Sequence, residues 1–510
     1  MSKKTSAAVI DVGSYEIRLK VGQNIKGKLK ILESISYPLL LGRDTFNTGK
    51  ISFEKADKCC EIISNFLRIA NEYGVEAVRV VATSAIREAL NSDYILDQIF
   101  LKTGQKLEVL DNSEEKFYIY KLMLSLLKKE YKQSAMMVYI GSGNMGLSII
   151  EKERIPYVQN VKIGSLRLSE LFENIQSYSS EFHIVVEEYL DSFIDPAVDL
   201  LPEGIKHFIA AGSEMDTIVG LCRTETKNSY FVIPAEKFRA LYDEIKFKSV
   251  DRIKKDYQIS HEKAELLLPA LCIYMKLLEL TESENIVSTT MLLIDSVLFE
   301  ILYTDQFLEI EKEFNKSTLL SARVLANRFQ CVEVHYQRVE KIACTIYDKL
   351  KKIHGMGNRE RLLLQAGAIL HDCGKFIHVR SHYEHSYRIV KALDIVGLSL
   401  RETYLVACLC LFHSGLIPSR ENEVFKSLNA NERTTVAKLV SILRIADSLD
   451  RSSEQKFDEI DVKITASSLL ITILTDSNIE LEQWSFNDKG AFFEEVYGLK
   501  AVLRKKRLTS

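Results

Sequence analysis

Prolines are scarce, seven in 510 residues, and no low-complexity stretch separates one part of the chain from another. Domain boundaries must therefore come from changes of pattern. The nine cysteines form no Cys-x-x-Cys pair, their number is odd, and most stand inside apolar runs. Free thiols in a reducing compartment are expected, not a disulfide framework. No apolar run approaches the roughly 18 residues that span a bilayer; the nearest, Leu266–Met275, contains Pro269. The run Ala7–Ile10 stops at Asp11, too short for a signal peptide. A cytoplasmic, soluble protein without a membrane partner is expected. Charge of one sign is also missing: Lys+Arg 67 against Asp+Glu 70 leaves −3. That balance advertises no nucleic acid and leaves any anionic ligand to local donors.

What is present is an ordinary globular composition, 46% hydrophobic and 27% charged. At roughly 150 residues per domain the length predicts three or four domains. Strand-like runs Ala7–Val12 and Ile17–Val21 flank the turn Gly13-Ser14-Tyr15-Glu16, and helical periodicity fills Glu54–Tyr73. Ala77–Ala82 reads as a strand feeding a helix from about Ser84, and Leu107–Leu110 as another before a helix from Glu114 to Lys129. Together these runs predict an α/β layer architecture. The chain then repeats itself: Ile10-Asp11-Val12-Gly13-Ser14 aligns with Val138-Tyr139-Ile140-Gly141-Ser142 at an offset of 128. Each copy is a strand, a Gly-Ser turn and a second strand, so two related α/β halves are expected to face one another. From about Phe307 to Leu449 the pattern is helical almost throughout. Beyond Asp458, short alternating runs (Ile479–Trp484 the last) and a helical Ala491–Tyr497 suggest a small α+β module, with the basic tail Arg504–Arg507 expected as a solvated end. The boundaries predicted are 1–125, 126–306, 307–455 and 456–510.

A glycine turn between two strands can gather backbone N–H groups into a concavity that suits phosphate. Gly13 and Ser14 in the first copy, and Gly141, Ser142 and Gly143 in the second, are the candidates. Asp11, closing the leading strand, could hold a divalent cation through water. A cleft between two such halves is a natural nucleotide or phosphate site.

On Ala7–Ser14, Val81–Ala89 with its Ala-Thr-Ser-Ala-x-Arg-Glu-Ala run, Leu107–Lys116, Val138–Leu147 and Ile163–Leu168, the sequence resembles the exopolyphosphatase/guanosine pentaphosphate phosphohydrolases of the actin-like ATPase superfamily. The resemblance implies two actin-like (ribonuclease H-like) domains with a phosphate cleft between them. The activity implied is release of terminal phosphate from inorganic polyphosphate or guanosine pentaphosphate, with Mg²⁺. It implies a glutamate as general base, with Glu114 the candidate and Glu115 its rival, and Arg87 as the clamp on phosphate. Read from the residues alone, Glu114-Glu115 is also simply the acidic first turn of a helix. A third phosphate loop appears as Gly212-Ser213-Glu214. Several positions depart from the family pattern: Tyr139 stands where the second loop usually opens with aspartate, which should weaken cation binding. Glu16 and Glu214 should add repulsion near a phosphate.

Seven of the ten histidines lie between residues 335 and 413. Imidazole and carboxylate are the ligand set for Mn²⁺, Fe²⁺ or related ions at phosphohydrolase centres. Adjacent His371 and Asp372 lie about 100° apart on a helix, and His382 and His385 share a face at i, i+3. The order H…HD…H…H…D resembles the HD-domain metal-dependent phosphohydrolases. The ligands carried over by that resemblance are His335, His371, Asp372, His385, His413 and Asp447, with Lys375 placed to orient a phosphate. An all-α HD domain is accordingly expected after the actin-like pair, and a homodimer through the helical region is implied. Three functions stay open at this point. One is a phosphoanhydride hydrolase working in the actin-like cleft, another an HD-domain hydrolase of a nucleotide or phosphoester. The third is a non-catalytic sensor of a polyphosphorylated ligand.

Overall fold

The computed structural model describes residues 5–507 apart from 179–180, 199–200, 225 and 228–229. The chain divides into two compact units, Met1–Phe314 and Asn315–Ser510.

The first unit holds two sheets. Strands β1 (Ser6–Val12), β2 (Glu16–Ile25), β3 (Lys28–Pro38), β4 (Val78–Ala82) and β5 (Glu108–Val109) lie in the order β3-β2-β1-β4-β5. β1 is buried at every position, as a continuous apolar run between two neighbours should be. β2 alternates buried and half-buried residues over its first half. The second sheet contains β6 (Ser134–Ile140), β7 (Met145–Glu151), β8 (Arg154–Val161), β9 (His207–Gly212), β10 (Thr226–Lys227), β11 (Tyr230–Pro234) and β12 (Asn285–Ser288). Their order is β10-β11-β12-β9-β6-β7-β8. In both sheets the first three strands form an antiparallel meander, and the opening strand pairs on its other edge with a parallel strand, β4 or β9. β1 and β6 begin and end 128 residues apart, the offset read from sequence. The glycine loops after β1 and β6 thus leave the carboxyl ends of central strands, where such sheets place ligands.

The second unit is helical through Glu333–Lys349, Asn358–Leu370, His382–Lys391, Leu400–Phe412 and Ala430–Ser448. It closes with β13 (Ile460–Ile464), β14 (Ser468–Leu474), the helix Glu480–Tyr497 and β15 (Lys500–Lys506). Val462, Leu469, Ile471 and Phe493 pack into the same apolar cluster as Tyr336, Leu409 and Leu443, so the terminal segment adds to the helical core. Two readings of this segment need correction. Ile479–Trp484 is no strand: Ser485, Phe486, Lys489, Phe492 and Phe493 are buried at helical spacing, and the helix runs unbroken from Glu480. The basic tail is not a loose end either, because Lys500–Lys506 pairs in parallel with β14. All nine cysteines are free, and eight are buried. Among the described residues no helix is long and apolar enough to cross a membrane.

Candidate functional site

In the first unit each glycine loop closes its own turn. Gly13 N–H donates to the Glu16 carbonyl at 3.0 Å and Gly141 N–H to the Asn144 carbonyl at 2.8 Å. Ser14 Oγ lies 2.8 Å from Ser84 Oγ. On the other side, the backbone N–H of Arg167 donates to the Ser142 carbonyl at 3.0 Å, and its Nε to that of Gly143 at 2.8 Å. The packing is close enough to need glycine. A Cβ on Gly143 would stand 2.5 Å from Ser84 Oγ, and one on Gly212, whose φ is +151°, would stand 2.1 Å from the Ile140 carbonyl oxygen. The loops enclose a polar cavity of about 30 Å³ whose wall includes Asp11, Ser14, Glu115, Tyr139, Gly141 and Ser142. Gly13 and Gly143 also line it, whereas Gly212 contributes through its neighbour Ser213. Tyr15, Glu16, Arg18 and Ser213 are shared with a larger cavity of about 560 Å³.

Asp11 is buried at the end of β1. Its Oδ2 lies 3.9 Å from Arg18 Nη1, and its Oδ1 is buried without a hydrogen-bond partner. Burial pushes its pKa up to about 7, against the pull of Arg18 and with help from Glu115. An orphaned carboxylate oxygen in a polar cavity fits a hard cation. Of the adjacent glutamates, Glu114 is held in a capping box. Its Oε2 accepts the Asp111 N–H at 2.9 Å, while Asp111 Oδ1 accepts the amides of Ser113 and Glu114. Glu115, one position and about 100° further round the helix Asn112–Leu126, turns to the cavity. Its carboxylate lies 3.7 Å from Arg87 Nη1, 3.8 Å from Lys116 Nζ and 3.4 Å from Asn144 Nδ2. Arg87 itself donates to the Leu110 carbonyl at 2.5 Å and to Asn112 Oδ1, and is absent from the cavity wall.

The repulsion expected from Glu16 and Glu214 is softened. Glu16 accepts Arg18 Nε at 2.7 Å. Burial raises Glu214 to a pKa of about 7 and so disfavours its charged form, an effect partly offset by the Ser165 hydroxyl that donates to it at 2.8 Å. Tyr139 is 5% exposed, with the Lys116 ammonium 5.3 Å from its ring centre. Lys116 also donates to Asn144 Oδ1. Arg18, Lys116 and Asn144 escaped the sequence reading. Arg18 was within reach, since it sits directly opposite Asp11 in the β1–β2 register.

The second unit gathers imidazoles around Asp372. His335 Nε2 and His371 Nε2 each lie 3.6 Å from Asp372 Oδ2, while His382 Nε2 and His413 Nε2 lie 3.2 Å and 3.7 Å from Oδ1. Ring orientation is set from outside. The Nδ1 of His335 meets Asp450 Oδ2 at 2.8 Å, and those of His371, His382 and His413 meet the carbonyls of Ala368, Val379 and Cys410 at 2.8, 3.1 and 2.7 Å. With Nδ1 as donor, a neutral ring at any of these positions presents its Nε2 lone pair inward, the tautomer metal-ligating histidine adopts. Asp447 Oδ1 joins the first pair, 3.4 Å from His335 Nε2 and 3.7 Å from His371 Nε2. Two groups able to hold an ion result, His335/His371/Asp372 and Asp372/His382/His413. Burial opposes protonation of His335, but Asp447 and Asp450 raise its pKa to about 9. Burial works against ionisation of Asp372 as well, yet His371, His382 and Lys375 hold it well below the usual carboxylate range. His385, expected as a ligand, belongs to neither group: a Cβ on Gly374 would stand 2.8 Å from the His385 Cβ, against which Gly374 packs. The helix opens at His382, after Ser381 in the left-handed region at φ +56°, and this turns His382 to the cluster.

Two sheets of like topology, with glycine loops meeting over a buried aspartate, make the first unit an actin-like α/β fold of the kind that handles phosphate. The chain belongs to the Ppx/GppA phosphatase family, whose profile matches residues 21–304, with Ppx/GppA phosphatase domain III matching residues 319–486. It is similar to a guanosine-5'-triphosphate,3'-diphosphate pyrophosphatase of Photobacterium profundum, 22% identical over 497 residues, covering 93% of this chain and 94% of that one. An exopolyphosphatase crystal structure from Cytophaga hutchinsonii superposes with TM-score 0.53 at 20% identity, over 58% of this chain and 97% of the other. The Aquifex aeolicus Ppx/GppA family member does so with TM-score 0.50 at 22% identity, over 61% and 99%.

Proposed function

We propose that the first unit hydrolyses the terminal phosphoanhydride of guanosine pentaphosphate or inorganic polyphosphate, with Glu115 as general base. The observation that carries this reading is the position of Glu115, buried on the cavity wall and close enough to Asp11 to raise its pKa. Arg87 and Lys116, 3.7 Å and 3.8 Å away, aim that carboxylate so that it can take the proton of an attacking water. Arg87 is then a positioning residue for the base, its guanidinium being engaged with Leu110 and Asn112. The hydroxyls of Ser14 and Ser142 and the loop backbone at Gly143 would receive phosphate oxygens. Asp11 Oδ1 would hold Mg²⁺, which when bound offsets phosphate charge and polarises the phosphoryl oxygen. The 560 Å³ cavity has room for the remainder of the ligand. The test is phosphate release from both substrates by Glu115→Gln and Glu114→Gln. Glu115→Gln should lose a hundredfold or more, and Glu114→Gln should keep most activity because glutamine also completes a capping box. The opposite ranking would overturn the assignment.

A second reading is favoured by the converging Nε2 atoms. Residues 319–486 would form an HD-type metal centre binding divalent ions such as Mn²⁺ or Fe²⁺, with Asp372 shared between two ions. His335, His371 and Asp447 would complete one ligand set and His382 and His413 the other. Such ions activate water against a phosphoester. Metal analysis of the purified chain beside His371→Ala/Asp372→Ala decides it: loss of bound metal only in the double variant is expected. The division at 125/126, 306/307 and 455/456 belongs to the same proposal.

A further inference from the structure

Helix Glu480–Tyr497 buries Ser485, Phe486, Lys489, Phe492 and Phe493 on one face. A lysine in that company is costly, because an ammonium taken out of water must find a compensating charge. Lys489 is 5% exposed, and its ammonium meets Asp447 Oδ2. The other charged residue on this face, Glu482, is paired separately with Lys456 at 3.1 Å. Asp447 therefore divides its two oxygens: Oδ1 faces His335 and His371, and Oδ2 faces Lys489. The Lys489 charge also heads the attractions that hold Asp447 well below the usual carboxylate range despite burial.

We propose that Lys489 is a positioning residue of the metal centre, supplied by the terminal helix and beyond the stretch that matches domain III; this rests on the metal-centre reading above. By fixing Oδ2, the ammonium fixes the rotation of the carboxylate and directs Oδ1 at the ion held by His335 and His371. Lys375 differs, because from the adjoining turn it meets Asp372 on Oδ2, the oxygen that itself faces His335 and His371. A face built of Phe486, Phe492 and Phe493 would pack as well around a methionine, so packing alone gives no reason for an ammonium at this position. Outer partners of metal ligands are worth roughly ten- to a hundredfold in affinity. The dependence is expected to be confined to one ion, because His382 and His413 meet the other oxygen of Asp372 and neither contacts Lys489.

The experiment titrates Mn²⁺ into the full chain after chelator treatment, for wild type, Lys489→Met, Lys489→Arg and His371→Ala, with thermal unfolding in chelator alongside. Lys489→Met should retain one tight ion and bind the second ten- to a hundredfold more weakly, and Lys489→Arg should restore most of that loss. Equal affinities in wild type and Lys489→Met, or tighter binding in the variant, would overturn the proposal. If Lys489→Met does not fold, Lys489→Gln carries the test, with weakening of tenfold or more expected and unchanged affinity overturning it. Wild type that takes up no more Mn²⁺ than His371→Ala would instead sink the metal-centre reading, and the role of Lys489 with it.

Discussion

Asp11 faces Arg18 across the first hairpin with only one of its oxygens, the nearest guanidinium nitrogen lying 3.9 Å from Oδ2 while Oδ1 has no hydrogen-bond partner. Asparagine keeps the shape but not the charge. Asp11→Asn should raise the Mg²⁺ concentration needed for half-maximal phosphate release by tenfold or more. A Mg²⁺ titration of phosphate release checks it, and an unchanged midpoint would place the cation elsewhere.

Glu114 should count for stability, whereas Glu115 is proposed to count for catalysis. Glu114→Ala removes the return bond of the capping box and should cost about 1 kcal/mol, read by urea denaturation. Glu114→Gln should cost only a fraction of that.

Glu214 gives a pH signature. Its folded pKa is about 7, against about 4.3 unfolded, so between these values the native state binds the extra proton. Stability therefore falls as pH rises through that window. Glu214→Gln, which can still accept the Ser165 hydroxyl, should be neutral near pH 4 and stabilising at pH 8, by roughly 3–4 kcal/mol. Thermal melts of both proteins across pH 4–8 would show the curves diverging upward; parallel curves would refute it.

Gly212→Ala should destabilise by about 2–3 kcal/mol through overpacking, because the new methyl meets the Ile140 carbonyl oxygen at 2.1 Å and the backbone there has φ +151°. Displacement of Ser213 from the cavity wall should lower phosphate release as well. A melt and an activity assay on the same preparation test both.

The duplication was readable because a central strand followed by a glycine turn leaves a local signature that survives divergence, and β1 and β6 keep its length and apolar burial although Tyr139 replaces Asp11. The order of histidines and aspartates was readable for the same reason. The choice between neighbours was not. Glu114 and Glu115 look alike until the cap formed by Asp111 claims one of them. His382 and His385 share a helix face, and only the folded structure, with His385 packed against Gly374 and His382 Nε2 3.2 Å from Asp372, settles which of them reaches the carboxylate. Tertiary partners such as Asn144 for Glu115 and Lys489 for Asp447 lie on other elements, where no local pattern announces them.

Asp372 is the one side chain common to both histidine pairs. Such an arrangement has a single point of failure. A substitution at His382 or His413 would leave His335, His371 and Asp447 with a carboxylate between them, whereas a substitution at Asp372 would strip both pairs in one step. Loss of metal from the two proposed ion sites would thus be stepwise from the histidine side and simultaneous from the aspartate side.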